Sequence, residues 1–289
     1  MALSVDQGFT VFLDRLVPLQ SQRDAAARHR AGIESSLRQA PFGVQRFREI
    51  GSSFGHGTGI RSYCDVDLLV SITASRPGSS DTALGWVRDA LTHSFPSTEV
   101  VVRRPTVVVR FANGTETWEV LPAFRTSHDD PPVYDIPAAA SGWMSSAPTA
   151  HLSYVNEINQ RTGIAGGAKK LARLAKAWKY YNQVPVSSFY LEMRAAQHLA
   201  GERAFSPVWD ICLLLEKLNT NQLAAMNDPQ GLASPFHACS TDATRRDALS
   251  KVNTAAVRAR KALNAHNADD PATAFYYLDL LFGGRFPAR

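Results

Sequence analysis

Asp65 and Asp67 open the apolar run Asp65-Val66-Asp67-Leu68-Leu69-Val70-Ser71-Ile72. Residues two apart on a strand project from one face, so the two carboxylates are expected side by side. Two carboxylates in one site repel, and stay ionised together only beside a compensating cation. Hard oxygen donors suit Mg²⁺, which also takes oxygens from substrate phosphates. Upstream runs Gly51-Ser52-Ser53-Phe54-Gly55-His56-Gly57. Gly51 would let backbone approach a phosphate closely. Ser52, at the expected start of a short helix, would add a hydroxyl where backbone N–H groups face an anion. Twelve residues, Ser53 to Cys64, separate this Gly-Ser turn from the acid pair. Strand, turn, short helix and a strand opening Asp-x-Asp form an arrangement for nucleotide chemistry. A third carboxylate is expected from a neighbouring strand, and 116–122 offers two. Glu119 shares a face with Thr117 and Leu121; Glu116 shares the other with Trp118 and Val120. Alternation alone does not choose between them.

The elements that must hold these residues follow from hydrophobic periodicity. Phe9, Phe12, Leu13 and Leu16 recur at helical spacing, predicting a helix over 4–39 that Pro18 can break. Residues 44–50 alternate as a strand, and 65–72 read as a buried one. Residues 81–95 read as a helix with Asp81 as its candidate N-cap. Apolar runs follow at 99–103, 106–111 and 116–122, with Asn113-Gly114 as a hairpin signal between the last two. The stretch 124–150 carries four prolines and little periodicity, and reads as a long loop. Beyond it helices are predicted at 149–161, 167–181, 186–201, 206–219, 242–264 and 271–282. A catalytic lobe over 1–150, with an N-terminal backing helix, and a helical lobe over 151–289 would leave a cleft between them.

Composition narrows the class. The 289 residues are 45% hydrophobic and 20% charged, ordinary values for a globular chain and not for a disordered one. No apolar run approaches the ~20 residues of a membrane span. Asp6 and Asp14 interrupt the N-terminal stretch, which lacks the pattern of a secretory leader, so a cytoplasmic location is expected. The net charge of +5 favours an anionic partner without demanding a nucleic acid. Cys64, Cys212 and Cys239 are far apart and form no CxxC pair, so reduced thiols are expected. The eight histidines show no zinc-insert spacing, and His56 reads as a solvated loop residue. On a wheel for 169–179, Leu171, Leu174, Ala175 and Trp178 form the apolar stripe. Lys169, Arg173 and Lys176 lie opposite as an expected solvated basic face, with Lys170 on the flank.

GSSFGHGTGIRSYCDVDLLV, WEVLPAF, SGWMSSAPTAHLSYVNEIN and GGAKKLARLAKAWKYYNQVPVSSFYLEM together resemble the bacterial cGAS/DncV-like nucleotidyltransferases (CD-NTases). These are the oligonucleotide cyclases of CBASS anti-phage defence, within the polymerase-beta-like nucleotidyltransferase superfamily. The resemblance implies an α+β, two-lobed polymerase-beta-like fold: a mixed-sheet catalytic lobe with a long N-terminal helix, and a C-terminal helical lobe closing the NTP cleft. It implies that Asp65, Asp67 and Glu119 hold two Mg²⁺ ions (Mn²⁺ a substitute), and favours Glu119 over Glu116 because Val120-Leu121-Pro122-Ala123 follows it. The family more usually carries Asp there. It carries the triphosphate grip over to Lys170 and Ser188, with Ser187 the alternative, beside Gly51 and Ser52. Phe189 aligns with a position whose ring can stack on a base, with core packing as the equal alternative; for Tyr134 and Trp143, which could line a base pocket, core packing is the default reading. The implied activity condenses ATP, GTP, UTP or CTP into a cyclic di- or trinucleotide, a second messenger for a separate effector, with no membrane and no stable nucleic-acid partner. The rivals are a linear oligonucleotide synthase, a transferase acting on RNA or a small acceptor, and a catalytically silent nucleotide or RNA sensor.

Overall fold

The computed structural model describes residues 3–50, 57–61, 63–111, 116–127 and 129–289, with the side chains of Cys64 and Asp65 outside that description. The N-terminal stretch is two helices, α1 (Val5–Leu16) and α2 (Gln20–Arg38), parted at Pro18. Ser4 caps α1, its hydroxyl accepting from the Gln7 N–H while Gln7 reaches back to the Ser4 N–H. The chain divides into two compact units, one of residues 18–153 with 230–234, the other of 1–17, 154–229 and 235–289. α1 therefore belongs with the C-terminal helices.

The first unit is built on a mixed sheet. Its strands are β1 (Val44–Ile50), β2 (Cys64–Ile72), β3 (Glu99–Arg103), β4 (Thr106–Phe111) and β5 (Glu116–Arg125), in the order β1-β2-β5-β4-β3. β2 and β5 run parallel; the other neighbours are antiparallel. β4 and β5 pair as the Asn113-Gly114 signal implies, while the turn itself, 112–115, lies outside the described residues. Helices α2 and α3 (Ser80–Ser94) supply Ile33, Leu37, Ala83, Leu84, Val87 and Leu91 to one core. These pack with Val66, Leu68 and Val70 of β2 and Trp118 and Val120 of β5. Burying one such side chain is worth about 1.5–3 kcal/mol, so this face of the sheet is fixed inward. The other face carries a smaller apolar cluster of Leu69, Leu121, Ala123, Tyr134 and Ile136.

Two local expectations are corrected. Ser79, not Asp81, caps α3: its hydroxyl accepts from the Asp81 N–H at 3.2 Å, and Asp81 instead pairs with Arg104. The stretch 124–150 is not all loop. It holds β6 (Tyr134–Pro137) and β7 (Trp143–Ser146), an antiparallel pair joined to β5 through Phe124 and Arg125. Gly142, at φ +72°, turns the chain, and its carbonyl accepts from the Ala138 N–H at 2.9 Å. Four-residue strands are too short for alternation to reveal, because their stability comes from the neighbour they pair with.

Helix α4 (Pro148–Gln160) crosses from the first unit to the second. The second continues with α5 (Gly167–Tyr181), α6 (Ser188–Ala200), α7 (Pro207–Thr220), α8 (Asp242–Asn267) and α9 (Pro271–Leu281). Phe9 and Phe12 of α1 meet Phe282 and Phe286 edge-on or tilted, with ring centroids 4.6–6.4 Å apart. The expected solvated basic face of α5 is also corrected. Lys176 is 1% exposed and donates to Glu192 on α6 at 2.8 Å. Burial lowers the pKa of Arg173, and of Lys169. A wheel orients residues against their own apolar stripe; it cannot tell that a second helix covers the opposite side.

Before α5, Gly163 sits at φ +85°, and a Cβ there would stand 2.2 Å from the Arg203 carbonyl oxygen. Gly163→Ala is therefore expected to lower stability by about 1–3 kcal/mol. A urea melt reads this as a lower midpoint at unchanged slope; an unchanged midpoint would contradict the close approach.

Candidate active site

β2 and β5 fix the geometry of the acidic residues. Their parallel register sets Asp65 opposite Thr117 and Asp67 opposite Glu119. Registered neighbours on parallel strands project from the same face, about 4.8 Å apart. Asp67 and Glu119, both half-buried, thus stand as neighbours on the sheet face away from α2 and α3. Asp65 occupies the register position two residues earlier; its side chain lies outside the described residues, as do Gly51, Ser52 and His56. Residues 57–61 hold no helix; the Tyr63 N–H donates to the Ile60 carbonyl at 2.9 Å just before β2.

Glu116 lies on the opposite face, with Trp118. Only 8% exposed, it accepts from the Trp118 indole N–H at 2.6 Å and stands 2.9 Å from Nδ1 of His29 on α2. His29 in turn stacks on Phe111, centroids 4.1 Å apart and planes within 3°. Of the two glutamates that alternation offered, Glu119 shares the face of Asp67, and Glu116 ties β5 to α2.

The described donor pair is all carboxylate oxygen, the chemistry that Mg²⁺ takes and thiolate-seeking metals do not. Among the described residues no group of three or more His, Cys, Asp or Glu gathers as a metal site. The pair fits a hard divalent cation, and the register position of Asp65 is where a third ligand would come from.

The helical unit brings together a different lysine from the one the sequence singled out. Ser188 Oγ accepts from Nζ of Lys179 at 2.6 Å and lies 3.2 Å from the Tyr180 hydroxyl. Ser187 is the N-cap of α6, its hydroxyl accepting from the Tyr190 N–H at 3.3 Å. Lys170 is exposed in the first turn of α5. It precedes Lys179 by nine residues, which is two and a half helical turns and so the opposite side of the helix. The missed signal was position: a lysine in the last turn of α5, nine residues before the serine opening α6. Phe189 is half-buried and meets Phe236 edge-on at 4.9 Å. Tyr134 is buried, and Trp143 packs on Phe124, lies under Arg76 and donates to the Gly78 carbonyl. Core packing accounts for both.

The Second Messenger Oligonucleotide or Dinucleotide Synthetase domain matches residues 3–159, more than half of the chain. The chain belongs to that family. Nucleotidyl transfer is accordingly its family-level chemistry. Solved structures share its fold over nearly the whole length. E. coli MS115-1 CdnC with ATP is 18% identical, with 99% of each chain covered and a TM-score of 0.73. Vibrio cholerae DncV cyclic AMP-GMP synthase, with the linear intermediate pppA(3′,5′)pG, is 14% identical, with 99% of this chain and 97% of that one covered and a TM-score of 0.76. Bradyrhizobium diazoefficiens CD-NTase CdnG with GTP is 14% identical, covers 97% of this chain and 96% of that one, and has a TM-score of 0.73. The synthetase-family chain thus has the α+β polymerase-beta-like nucleotidyltransferase fold, with N-terminal helices and a C-terminal set of helices. No curated protein matches it. No helix among the described residues is long and apolar enough to cross a membrane.

Proposed function

We propose that this chain condenses NTPs into a cyclic di- or trinucleotide second messenger, releasing pyrophosphate, in bacterial anti-phage (CBASS) signalling. The observation that carries the reading is the registered pair of Asp67 and Glu119 on the sheet face that α2 and α3 leave free. Asp65, Asp67 and Glu119 are assigned as the catalytic, Mg²⁺-holding carboxylates. When bound, the metal polarises phosphate oxygens and makes a hydroxyl a better nucleophile. Glu119 takes the proton of the attacking ribose hydroxyl. The new bond joins that oxygen to the α-phosphorus, and the α–β anhydride bond breaks to release pyrophosphate. A second such attack, within the linear intermediate, closes the ring. Gly51, Ser52 and Ser188 are assigned to the substrate phosphates, with Lys179, through its bond to Ser188, in the place that the resemblance gave to Lys170. The partners are then NTP substrates and an effector reached through the product.

The test is incubation with the four NTPs and Mg²⁺ or Mn²⁺, then phosphatase treatment and mass spectrometry, beside Asp65→Ala/Asp67→Ala. A phosphatase-resistant product with the mass of a cyclic oligonucleotide, absent from the variant, is expected. Linear products alone would replace the cyclase by a linear synthase. NTP binding without any product would make the chain a silent sensor.

A further inference from the structure

A pocket of about 160 Å³ lies between α6 and α7, lined by Tyr190, Arg194, Gln197, His198, Lys217 and Asn221 together with leucines of α7. Its polar groups are linked in a chain. Asp210, 1% exposed, accepts from the Ser206 N–H at 2.7 Å on one carboxylate oxygen. Its other oxygen lies 2.9 Å from Nε2 of His198, and Nδ1 of His198 lies 2.9 Å from Nζ of Lys217. A lysine ammonium can only donate. Nδ1 is therefore the acceptor, and the imidazole proton sits on Nε2, directed at Asp210. Every proton in the chain has a place, and Lys217 keeps two N–H donors beyond the one given to His198.

Arg194 is held just as firmly. Nη1 donates to the Gln197 side-chain oxygen at 2.8 Å, and Nη2 to the carbonyls of Ala224 and Ala225 at 2.8 and 3.2 Å. The guanidinium lies over the Tyr190 ring, 5.1 Å from its centroid. Nε is buried and finds no acceptor among the described residues. An unpaired buried donor of a charged group is costly, and here two cations line one pocket that has no carboxylate among its lining residues.

We propose that this pocket binds a small tetrahedral oxyanion of the phosphate class. Donors from Lys217 and Arg194 on two different helices suit an acceptor with oxygens facing several directions, and the hydrogen bonds would be charge-assisted on both sides. The volume lies below the ~300–1,000 Å³ of organic-ligand pockets, so an ion fits and a nucleotide does not. None of the carboxylates of β2 and β5 is among the residues that line the pocket, so failure of this proposal would leave the catalytic reading intact.

The experiment is a thermal melt of the full chain against inorganic phosphate at constant ionic strength, with sulfate, acetate and chloride arms, and calorimetric titration for affinity. Phosphate and sulfate are expected to raise the melting temperature saturably, acetate less and chloride not at all. Arg194→Gln and Lys217→Gln should each weaken phosphate binding about tenfold, the loss of one charged hydrogen bond. Lys261→Gln, which removes a cation over the Tyr277 ring elsewhere in the unit, should not. Should Arg194→Gln fail to fold, Arg194→Lys keeps the charge over Tyr190 and loses Nε. A phosphate shift no larger than that of chloride would overturn the proposal, as would one that survives in both the Arg194 and Lys217 variants.

Discussion

Glu119→Gln is expected to lower nucleotide condensation by about 10²–10⁴-fold, the range for removing a group that moves a proton in the transition state. Glu116→Gln, three residues earlier on the same strand, is expected to leave turnover at the wild-type order. The difference lies in the faces of β5. Glu119 stands in register with Asp67, whereas Glu116 points to the side packed by α2, between His29 and Trp118. In Glu116→Gln the side-chain amide still offers an oxygen to the Trp118 N–H, and only the charge opposite His29 is lost. With His29 about a third exposed, solvent screens that charge, and the cost is about 1 kcal/mol. Initial rates of pyrophosphate release and a thermal melt on both variants separate the cases. An active Glu119→Gln beside an inactive Glu116→Gln would reverse the assignment.

The largest stability effect is expected at Lys176. Its ammonium and the Glu192 carboxylate are 1% and 0% exposed and joined at 2.8 Å. Lys176→Met leaves the buried Glu192 carboxylate without the Lys176 ammonium, which costs about 3–5 kcal/mol. For a chain of this size that is a fall of roughly 10 °C in melting temperature. Replacing both partners, Lys176→Met with Glu192→Leu, should recover most of the loss, because the fully buried carboxylate is then removed together with its ammonium. A single variant that melts with the wild type would mean the pair is solvated in solution. A double variant no better than the single one would assign the cost to packing and not to charge.

The helices from 148 to 281 were legible because helical periodicity is local: each turn declares its own buried side. β2 was legible as an apolar run, and the Asp-x-Asp spacing, read with the alternation of strands, already marked Asp65 and Asp67. The Asn113-Gly114 signal foresaw the pairing of β4 with β5. The β6–β7 pair was not legible, since neither strand is long enough to carry a pattern without its neighbour. Nor was the cap of α3, where Ser79 and Asp81 are equally good capping residues and only backbone geometry separates them.

By itself the sequence determined the helices, the longer strands and the family whose motifs surround Asp65 and Asp67. Alternation could not choose between Glu119 and Glu116, because it defines two faces without saying which one the helices cover; only the resemblance favoured Glu119. Parallel register with β2 puts Glu119 beside Asp67, and the apolar side chains of α2 and α3 cover the face that carries Glu116. The same reason explains α5. Its sequence separates an apolar stripe from a basic side, but Glu192, sixteen residues later on α6, turns Lys176 inward. Lys179 meets Ser188 because the α5–α6 connection brings two helix ends together. Each of these outcomes depends on a partner distant in the chain, and burial and charge pairing are settled only when that partner arrives.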